Sequence, residues 1–411
     1  MISVDEAQKI ILKLTPVKND IENIHFSDSY GRILARNLIS EFNIPHVNNS
    51  AMDGYAVISG DVQNASFNKP VILEITDEVQ AGGKNIPFPL NNGQAIRIMT
   101  GSHIPEGADA VIPFEDTEET GNIVRIFKPV KKSENIRYAG QDVTEGSMVL
   151  AKGTYIESSH IGLIASINRT SVDVFKKPEV SIISTGDEII EPGSDDFFGK
   201  TINSNSYVLI SEVKKTGGNP AYYGIARDNF AEIRQTIEKA LTGDIIICTG
   251  GVSMGRYDFI PEVLKSLGAE IIFHNIAIKP GKPLLFSMVN NKLIFGLPGN
   301  PVSTMVSFIE FVRPALLKMA GAIKSEKPVV KAVLKETIHK QAGRRHFIRG
   351  IFTIVDGVFT VVTTGNQRSD IINSMTAANC LIIIPEDLET VNMNSMVDIQ
   401  LINHGEISVA D

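Results

Sequence analysis

Acidic side chains follow several predicted strands of the chain, where they could act on a charged ligand. The apolar run Ile245–Thr249 ends in the loop 250–258, whose sequence GGVSMGRYD closes with Asp258. Further acids follow other predicted strands at Glu188, beside Asp187, and at Asp228. Because ligands bind outside the carboxyl ends of the strands in open α/β sheets, we expect these carboxylates to lie at one common edge.

Glycines and lysines at the same strand ends predict that the ligand is phosphorylated. Gly250 and Gly251 would let backbone N–H groups approach an anion without an intervening Cβ, and Ser253 would add a hydroxyl donor. The helix predicted to follow offers its positive N-terminus. Lys279 and Lys282, in the segment KPGK, suit phosphate oxygens. The chain has neither a Walker A motif nor GxGxxG, so the site is of another kind.

Carboxylates next to a phosphate need a compensating positive charge. Two unit charges of like sign about 4 Å apart repel by about 4 kcal/mol at an effective dielectric constant of about 20. Two lysines do not obviously offset several such pairs. Since carboxylate and phosphate oxygens together are typical ligands of Mg²⁺, we predict Mg²⁺ shared between the carboxylates and the ligand phosphate.

Each of these residues also has a purely structural interpretation. Glycines after strands are common turn residues, and Asp228 and Asp258 each precede a predicted helix that they could cap. Lysines are usually solvated surface charges. The functional interpretation therefore depends on the convergence of all these groups at one edge.

The elements that must position these residues change in character along the chain. Two helices are predicted within residues 1–40, over 4–14 and 27–40, and β-rich pieces separated by Gly, Pro and Asn over about 45–140. Residues 178–325 alternate strand and helix, which predicts a parallel sheet covered on both faces in a three-layer α/β domain. In it, 270–278 is predicted as one strand and 300–321 as one long helix. From residue 328 strands return, which indicates a small barrel or sandwich.

Composition excludes several classes of protein. The net charge of -8 argues against nonspecific nucleic-acid binding. Cys248 and Cys380 lie in apolar runs and are expected to be core residues in a reducing compartment. No signal peptide or run of about 20 apolar residues is present, so we expect a cytoplasmic protein without membrane contact. The scattered histidines and the absence of CxxC disfavour a zinc or iron site.

Several longer stretches match one family in order and spacing. They are NSAMDGYAV, MTGSHIPEGADAVI, NIRYAGQDV, STGDEI, GGVSMGRYD, AIKPGKP and GLPGNPVS. Across essentially its whole length the chain resembles the MoeA family of molybdopterin molybdenumtransferases, related to the E domains of gephyrin and the plant Cnx proteins. The resemblance implies an enzyme that takes adenylylated molybdopterin and molybdate, cleaves the pyrophosphate-type link with Mg²⁺, releases AMP and leaves molybdenum on the dithiolene.

The resemblance also implies an α/β multidomain fold. Its parts are an N-terminal mixed domain (1–44 with 141–176, the N-terminal helices packing on the latter), a β-rich insert (45–140), a three-layer α/β domain like that of MoaB and MogA (177–326) and a C-terminal β-barrel (327–411). It further implies a homodimer whose cleft combines the α/β and C-terminal domains of one subunit with the Asp53 region of the other. A MogA-like adenylyltransferase is the implied supplier of substrate.

The family's site residues carry over onto matching positions of this chain. Catalytic roles fall on Asp53, Thr100, Asp142 and Asp228, and Glu188, Asp228 and Asp258 are the implied metal ligands. The implied substrate-binding residues are Arg137, Gly250, Gly251, Ser253, Lys279, Lys282, Pro298, Arg344 and Ser374.

The chain departs from the family pattern at two positions. Asn275 stands where a lysine is frequent, and Gln141 replaces the glutamate of a GED triplet, although Asp142 is kept. Two alternatives remain, a non-catalytic dimeric scaffold of the gephyrin E type and a molybdopterin adenylyltransferase. A scaffold would not need Asp53, Asp228 and Asp258, and an adenylyltransferase would not need the NSAMDGYAV region.

Overall fold

A computed structural model of the chain describes residues 1–82, 89–252 and 258–402. The described residues form three large sheets and an N-terminal group of short paired strands. Within these ranges, every helix is too short or too polar to cross a lipid bilayer.

The first helix packs on the α/β core. The N-terminal elements are α1 (Val4–Leu14), β1 (Ile21–His25), β2 (Leu38–Ile39) and β3 (Asn49–Ser50). Ser3 caps α1 by accepting the N–H of Glu6 at 3.1 Å. The apolar stripe of α1, including Ile11, lies in one cluster with Phe308 and Phe311. The expectation that this helix packs on 141–176 is therefore wrong for α1, because its apolar face completes the core beside the barrel.

The second predicted N-terminal helix, over residues 27–40, is absent from the structure, and that prediction is wrong. Residues 33–35 are buried one after another, which the single apolar face of an amphipathic surface helix does not produce. Leu34 instead forms a β-bridge with Val174.

The insert is a six-stranded sheet in the order β7-β4-β6-β5-β9-β8, as its β-rich sequence predicts. Its strands are β4 (Gly54–Val57), β5 (Val71–Val79), β6 (Gln94–Ile98), β7 (Ala110–Pro113), β8 (Thr117–Thr120) and β9 (Ile123–Ile126). Gly54 begins β4, the strand between β6 and β7. A Cβ at this position would lie 1.9 Å from the Ile112 carbonyl oxygen, so close strand packing requires glycine there.

The chain then returns to pair with its own beginning. The returning elements are β10 (Ile136–Arg137), β11 (Met148–Leu150), α2 (Ser158–Ser166) and β12 (Ser171–Phe175). They form antiparallel pairs β10 with β3, β11 with β2 and β12 with β1. The insert is thereby held at both of its ends.

The α/β domain has one six-stranded sheet, ordered β16-β13-β17-β21-β20-β18. The elements of this region are β13 (Glu179–Thr185), β14 (Ile189–Ile190), β15 (Thr201–Ile202), α3 (Asn205–Lys215), β16 (Asn219–Ala226), α4 (Phe230–Ala240), β17 (Ile245–Thr249), α5 (Ile260–Ser266), β18 (Glu270–His274), β19 (Ile278–Lys279), β20 (Leu285–Val289), β21 (Lys292–Leu297), α6 (Pro301–Ser307) and α7 (Arg313–Met319). The predicted parallel order holds for β16, β13, β17 and β21. The sheet is nevertheless mixed, because β20 and β21 form an antiparallel hairpin.

Two elements of this domain differ from the sequence prediction. The predicted strand 270–278 is divided, because Asn275 has a φ of +76° and turns the chain out of the sheet. The long predicted helix contains a π-helical turn, Phe308–Val312, between α6 and α7. This turn buries Glu310 beside a cavity of about 220 Å³ between α1 and the barrel.

The C-terminal strands close into a barrel, one of the two folds predicted for this part. Its elements are β22 (Val329–Leu334), β23 (Ile338–His339), β24 (Arg345–Val355), β25 (Val358–Thr363), α8 (Asn373–Ala377), β26 (Cys380–Ile384), β27 (Thr390–Val391) and β28 (Met396–Leu401). The ring β24-β25-β22-β28-β26 closes through the pairing of β26 with β24. Strand β19 extends β24 in parallel, so Lys279 lies on the barrel. The expectation that Lys279 follows a strand of the α/β sheet is therefore wrong.

Candidate functional site

Two adjoining cavities lie between the carboxyl edge of the α/β sheet and the barrel. The cavity on the sheet side, called the acidic cavity, has a volume of about 640 Å³ and is lined in part by Glu188, Asp258 and Asp370. The cavity on the barrel side, called the basic cavity, has a volume of about 820 Å³. Both are lined by Pro283, Pro298, Asn300 and Asp370. The shared wall makes them two halves of one site.

The turn after β13 places Glu188 in the lining of the acidic cavity, whereas Asp187 and Asp228 lie beside each other outside that lining. Asp187 and Asp228 face each other, since the N–H of each donates to the carboxylate of the other at 3.2 and 3.1 Å. The Arg227 guanidinium holds this turn by donating to the carbonyl oxygens of Asp187 and Ile189, both at 3.0 Å. The edge predicted from the sequence therefore exists for these residues.

The capping interpretation of Asp228 is wrong. The N-cap of α4 is Asn229, whose side chain accepts the N–H of Glu232 at 2.8 Å. Phe259 occupies the N-cap position of α5, so Asp258 lies outside that position as well. Each aspartate thus lies one residue before the N-cap of its helix.

The carboxylates are close enough to perturb one another. Burial raises the pKa of Asp228, and the charges of Asp187, Glu188 and Asp258 raise it further. In the described part of the chain, no three Asp, Glu, His or Cys side chains are already gathered as metal ligands. Mg²⁺ typically keeps several waters and uses one or two carboxylates with a substrate phosphate, so the donors present fit that ion without a preformed cage.

The glycines after β17 have a different reason from the predicted one. Gly250 and Gly251 line the acidic cavity with φ values of +86° and +60°. A Cβ on Gly250 would lie 2.7 Å from the Thr185 carbonyl oxygen, and its N–H already donates to the Leu297 carbonyl. The prediction that this N–H approaches an anion is therefore wrong for Gly250. Ser253 lies outside the described residues.

The basic cavity gathers the predicted cations. Lys279, Lys282 and Arg344 all line it, together with Lys340. Asn275 precedes this segment in the left-handed region that asparagine tolerates better than lysine does, which gives a backbone reason for that departure from the family pattern. The basic charge of the cavity comes from the barrel as well as from the KPGK segment.

Arg349 is a lining residue that sequence reasoning missed. Its side chain is 1% exposed and donates to Ser374 Oγ at 3.1 Å and to the Arg368 carbonyl at 2.9 Å. Burial lowers the pKa of Arg349 to about 10, which leaves it cationic at neutral pH. Ser374, predicted to face the ligand, is not among the residues that line the basic cavity and instead holds this arginine. A lone arginine in the apolar run HFIRGIF was the available signal.

His346 also lines the basic cavity and was not predicted. Burial, followed by Lys279, Lys340 and Arg344, lowers the pKa of His346 to about 4. The ring is therefore neutral at physiological pH. Its buried Nε2 has no hydrogen-bond partner among the described residues.

Six predicted residues within the described ranges line neither cavity: Asp228 and Ser374, described above, and four residues that lie outside the α/β domain and the barrel. Asp53, Thr100, Arg137 and Asp142 are exposed residues of the insert and its return, and none lines either cavity. The backbone N–H and the hydroxyl of Thr100 donate to Asp53 Oδ1 at 2.6 and 2.7 Å, which lowers the pKa of Asp53. One chain alone does not bring these residues to the cavities.

The chain was compared with known protein families and structures. Residues 2–168 match the MoeA N-terminal region (domain I and II), 181–318 a probable molybdopterin binding domain, and 331–402 the MoeA C-terminal region (domain IV). A molybdopterin molybdenumtransferase of Staphylococcus epidermidis is 36% identical over 97% of this chain and 95% of its own length. One from Nostoc is 36% identical over 94% of this chain and 90% of its own length.

The fold has a relative of known structure. The molybdopterin biosynthesis moeA protein of Pyrococcus horikoshii superimposes with a TM-score of 0.85 at 34% identity, covering 98% of this chain and all of that one. The near-complete coverage in sequence and in structure agrees with the order of the matching motifs. The chain therefore belongs to the MoeA family of molybdopterin molybdenumtransferases and is an enzyme.

Proposed function

We propose that the protein inserts molybdenum into adenylylated molybdopterin, using molybdate and Mg²⁺ and releasing AMP. The observation that carries this proposal is the wall shared by the acidic and basic cavities. A ligand with a phosphate-rich centre and a neutral ring could lie across both cavities. Its phosphates would face cations on the barrel side and carboxylates, through a cation, on the sheet side.

The basic cavity supports the phosphate part of the proposal. Lys279 and Lys282 supply mobile ammonium groups, whereas Arg349 supplies donors that Ser374 holds in a fixed orientation. Neutral His346 lines the same cavity without adding repulsion between cations. These residues bind and orient the phosphates so that the link to AMP is exposed to attack.

The acidic side supports a divalent cation. Glu188 and Asp258, which line the acidic cavity, would hold Mg²⁺ together with Asp228, on which their charges act. When bound, Mg²⁺ supplies charge neutralisation between these carboxylates and the phosphates. Burial is the main reason that the pKa of Asp228 is raised, and the charges of Asp187, Glu188 and Asp258 raise it further. Without the cation, these like charges would repel a phosphate. The cation is therefore expected to strengthen binding.

Asp53 is the proposed catalytic group of the insert. Two hydrogen bonds from Thr100 keep its carboxylate ionised and in one orientation. We propose that Asp53 and Thr100 position molybdate or the attacked link. Arg137 and Asp142 are the other residues in this part of the chain that the family pattern implies. Because these residues lie outside both cavities, the proposal requires a second subunit of a homodimer to bring them there, with a cytoplasmic MogA-like enzyme as supplier of substrate.

Release of AMP from adenylylated molybdopterin tests this function. We expect wild-type protein to release AMP only with molybdate and Mg²⁺, and Asp53→Ala to lose at least about 100-fold in rate. Asp77→Ala, which removes another exposed aspartate of the same insert, should keep the wild-type rate. No release by wild type would indicate a scaffold, and consumption of ATP in place of AMP release would indicate an adenylyltransferase.

A further inference from the structure

The turn of residues 186–189, called the Glu188 turn, has a hydrogen bond at each of its four carbonyl oxygens. Arg227 Nη1 donates to three of them, those of Asp187 and Ile189 at 3.0 Å and that of Gly186 at 3.3 Å. Since Nη1 carries two hydrogens, one of these is shared between two carbonyls. The carbonyl of Glu188 accepts the N–H of Thr201 at 2.8 Å. The backbone of the turn is therefore held mainly by the Arg227 side chain.

The residue after Arg227 holds the same turn at a second point. Strands β13 and β16 are parallel neighbours, so the turn that follows β13 and the pair Arg227-Asp228 that follows β16 leave the sheet side by side. Asp228 Oδ2 accepts the N–H of Asp187 at 3.2 Å, and Asp187 Oδ1 accepts the N–H of Asp228 at 3.1 Å. Lys200 Nζ adds a bond to the Asp187 carbonyl at 3.2 Å. The Glu188 turn is thereby fixed against the strand end that carries Asp228.

The position of the Glu188 carboxylate depends on this backbone. Gly186 has a φ of +145°, and a Cβ at this residue would lie 2.8 Å from Glu188 Oε2. The carboxylate is thus folded onto the first residue of its own turn, and Glu188 lines the acidic cavity together with Asp258. A shift of the turn would change the distances from the Glu188 carboxylate to those of Asp228 and Asp258.

We propose that Arg227 is a positioning residue that holds the acidic edge rigid before the substrate binds, and that this rigidity makes the site prefer Mg²⁺ to Ca²⁺. Mg²⁺ demands near-ideal octahedral geometry at short distances, whereas the larger Ca²⁺ accepts more oxygen ligands in flexible arrangements. Arg227 acts through the Glu188 turn and is not a ligand of the cation. This inference rests on the proposed function, and it adds the basis on which the carboxylates choose their cation.

Binding of divalent cations to the full chain without substrate tests the inference. Mn²⁺ binding is followed by loss of the electron paramagnetic resonance signal of the free ion, and Mg²⁺ and Ca²⁺ binding by competition with Mn²⁺. We expect wild-type protein to prefer Mg²⁺, and Arg227→Ala to bind Mg²⁺ at least about tenfold more weakly, because residues that orient metal ligands typically have effects of this size. The affinity for Ca²⁺ should fall much less, so the preference for Mg²⁺ should fall nearly as far as its affinity.

The sign of the effect separates positioning from charge. By charge alone, removal of the Arg227 cation near the carboxylates would strengthen the binding of both divalent cations. Arg234→Ala is the matched control, because it removes the same charge from α4 of the same domain, where Arg234 donates to Glu238 at 3.1 Å. This variant should keep the wild-type affinities for both cations.

The outcomes separate this inference from the proposed function. Unchanged or stronger Mg²⁺ binding by an Arg227→Ala variant that is folded by circular dichroism would overturn the inference, and so would equal losses for Mg²⁺ and Ca²⁺. A wild-type protein that releases AMP but shows no preference for Mg²⁺, or binds no Mn²⁺ without substrate, would overturn the inference alone. A preference that depends on Arg227 in a protein that releases no AMP would support the inference and contradict the proposed function. Absence of both Mn²⁺ binding and AMP release in wild type would remove both proposals.

Discussion

At the scale of single residues, burial changes what charged side chains can do. Arg349 is buried against backbone carbonyls and Ser374. Among the described residues, it takes part in no salt bridge. A cation in this position gains from an anionic ligand, because the charge of the ligand compensates for the hydration that burial has removed. Glu310 is buried at the π-helical turn, where burial raises the pKa of this carboxyl to about 7.

Arg349→Lys is expected to weaken binding of inorganic phosphate by about tenfold, because a lysine keeps the charge but cannot keep several fixed donors. Isothermal titration calorimetry measures the change. Arg368→Lys is the matched control, since Arg368 lines the same cavity but is exposed and paired with Asp370 at 2.8 Å. Equal losses in both variants would show that Arg349 has no special part in anion binding.

Glu310→Gln should stabilise the protein at high pH. The unfolded chain releases the Glu310 proton near the ordinary value of 4.5, and the folded chain near 7. Wild-type stability therefore falls as pH rises through this window and stays reduced above it, by at most about 3 kcal/mol.

Urea unfolding at pH 5 and pH 8 measures that difference. The gain in Glu310→Gln should be larger at pH 8, while Glu6→Gln, at an exposed position of α1, should show no such dependence. A gain of the same size at both pH values would contradict the raised pKa.

At the scale of elements, close contact between strands decides where glycine is required. The pair Asp53-Gly54 has the composition of a turn, yet Gly54 is the first residue of β4 and lies against the Ile112 carbonyl. Asp53, which accepts two hydrogen bonds from Thr100, is thus directly followed by Gly54, where β4 lies against the Ile112 carbonyl of β7. The orientation of Asp53 depends on that approach.

Gly54→Ala should destabilise the insert by about 3 kcal/mol or more, because β4 cannot move away from β7 without also disturbing β6. Thermal unfolding followed by circular dichroism would detect the loss. For Gly60→Ala, in the same insert, no described atom lies within 4 Å of the added Cβ, and little change is expected. Equal stability of the two variants would mean that β4 and β7 can separate at low cost.

The sequence predicted elements best where periodicity was unbroken. The alternation in 178–325 gave the parallel part of the sheet, and the stripe of α1 gave that helix. Prediction failed where tertiary pairing overrode the local pattern, as for residues 27–40, which form bridges and strand β2 in place of a helix. It also failed at Asn275, where one left-handed residue transfers the following strand to the barrel.

At the scale of the whole molecule, the site is assembled from several parts of the chain. Sequence reasoning found the acidic edge, because strand ends converge by rule. It did not find Arg349 or His346, because a barrel has no equivalent rule that aligns its charged residues at one edge. It assigned Asp53 and Thr100 only through resemblance, and the described chain keeps them away from both cavities.

Complementation between two inactive variants would test whether two subunits form each site. In a heterodimer of Asp53→Ala and Lys282→Ala, one of the two sites would combine intact Asp53 with intact Lys282. Purified with two different tags, this heterodimer should recover about half of the wild-type rate of AMP release. Each homodimer should be inactive, and an inactive heterodimer would show that every site is built within one chain.

The path of the chain around β19 restricts how the protein can be divided. Residues 270–274 belong to the α/β sheet, Ile278–Lys279 to the barrel, and Leu285–Val289 to the α/β sheet again. An excised segment 181–318 would contain β19 but not β24, the barrel strand with which β19 pairs. The unpaired edge at Ile278–Lys279 would then be a place where copies of the fragment are expected to associate.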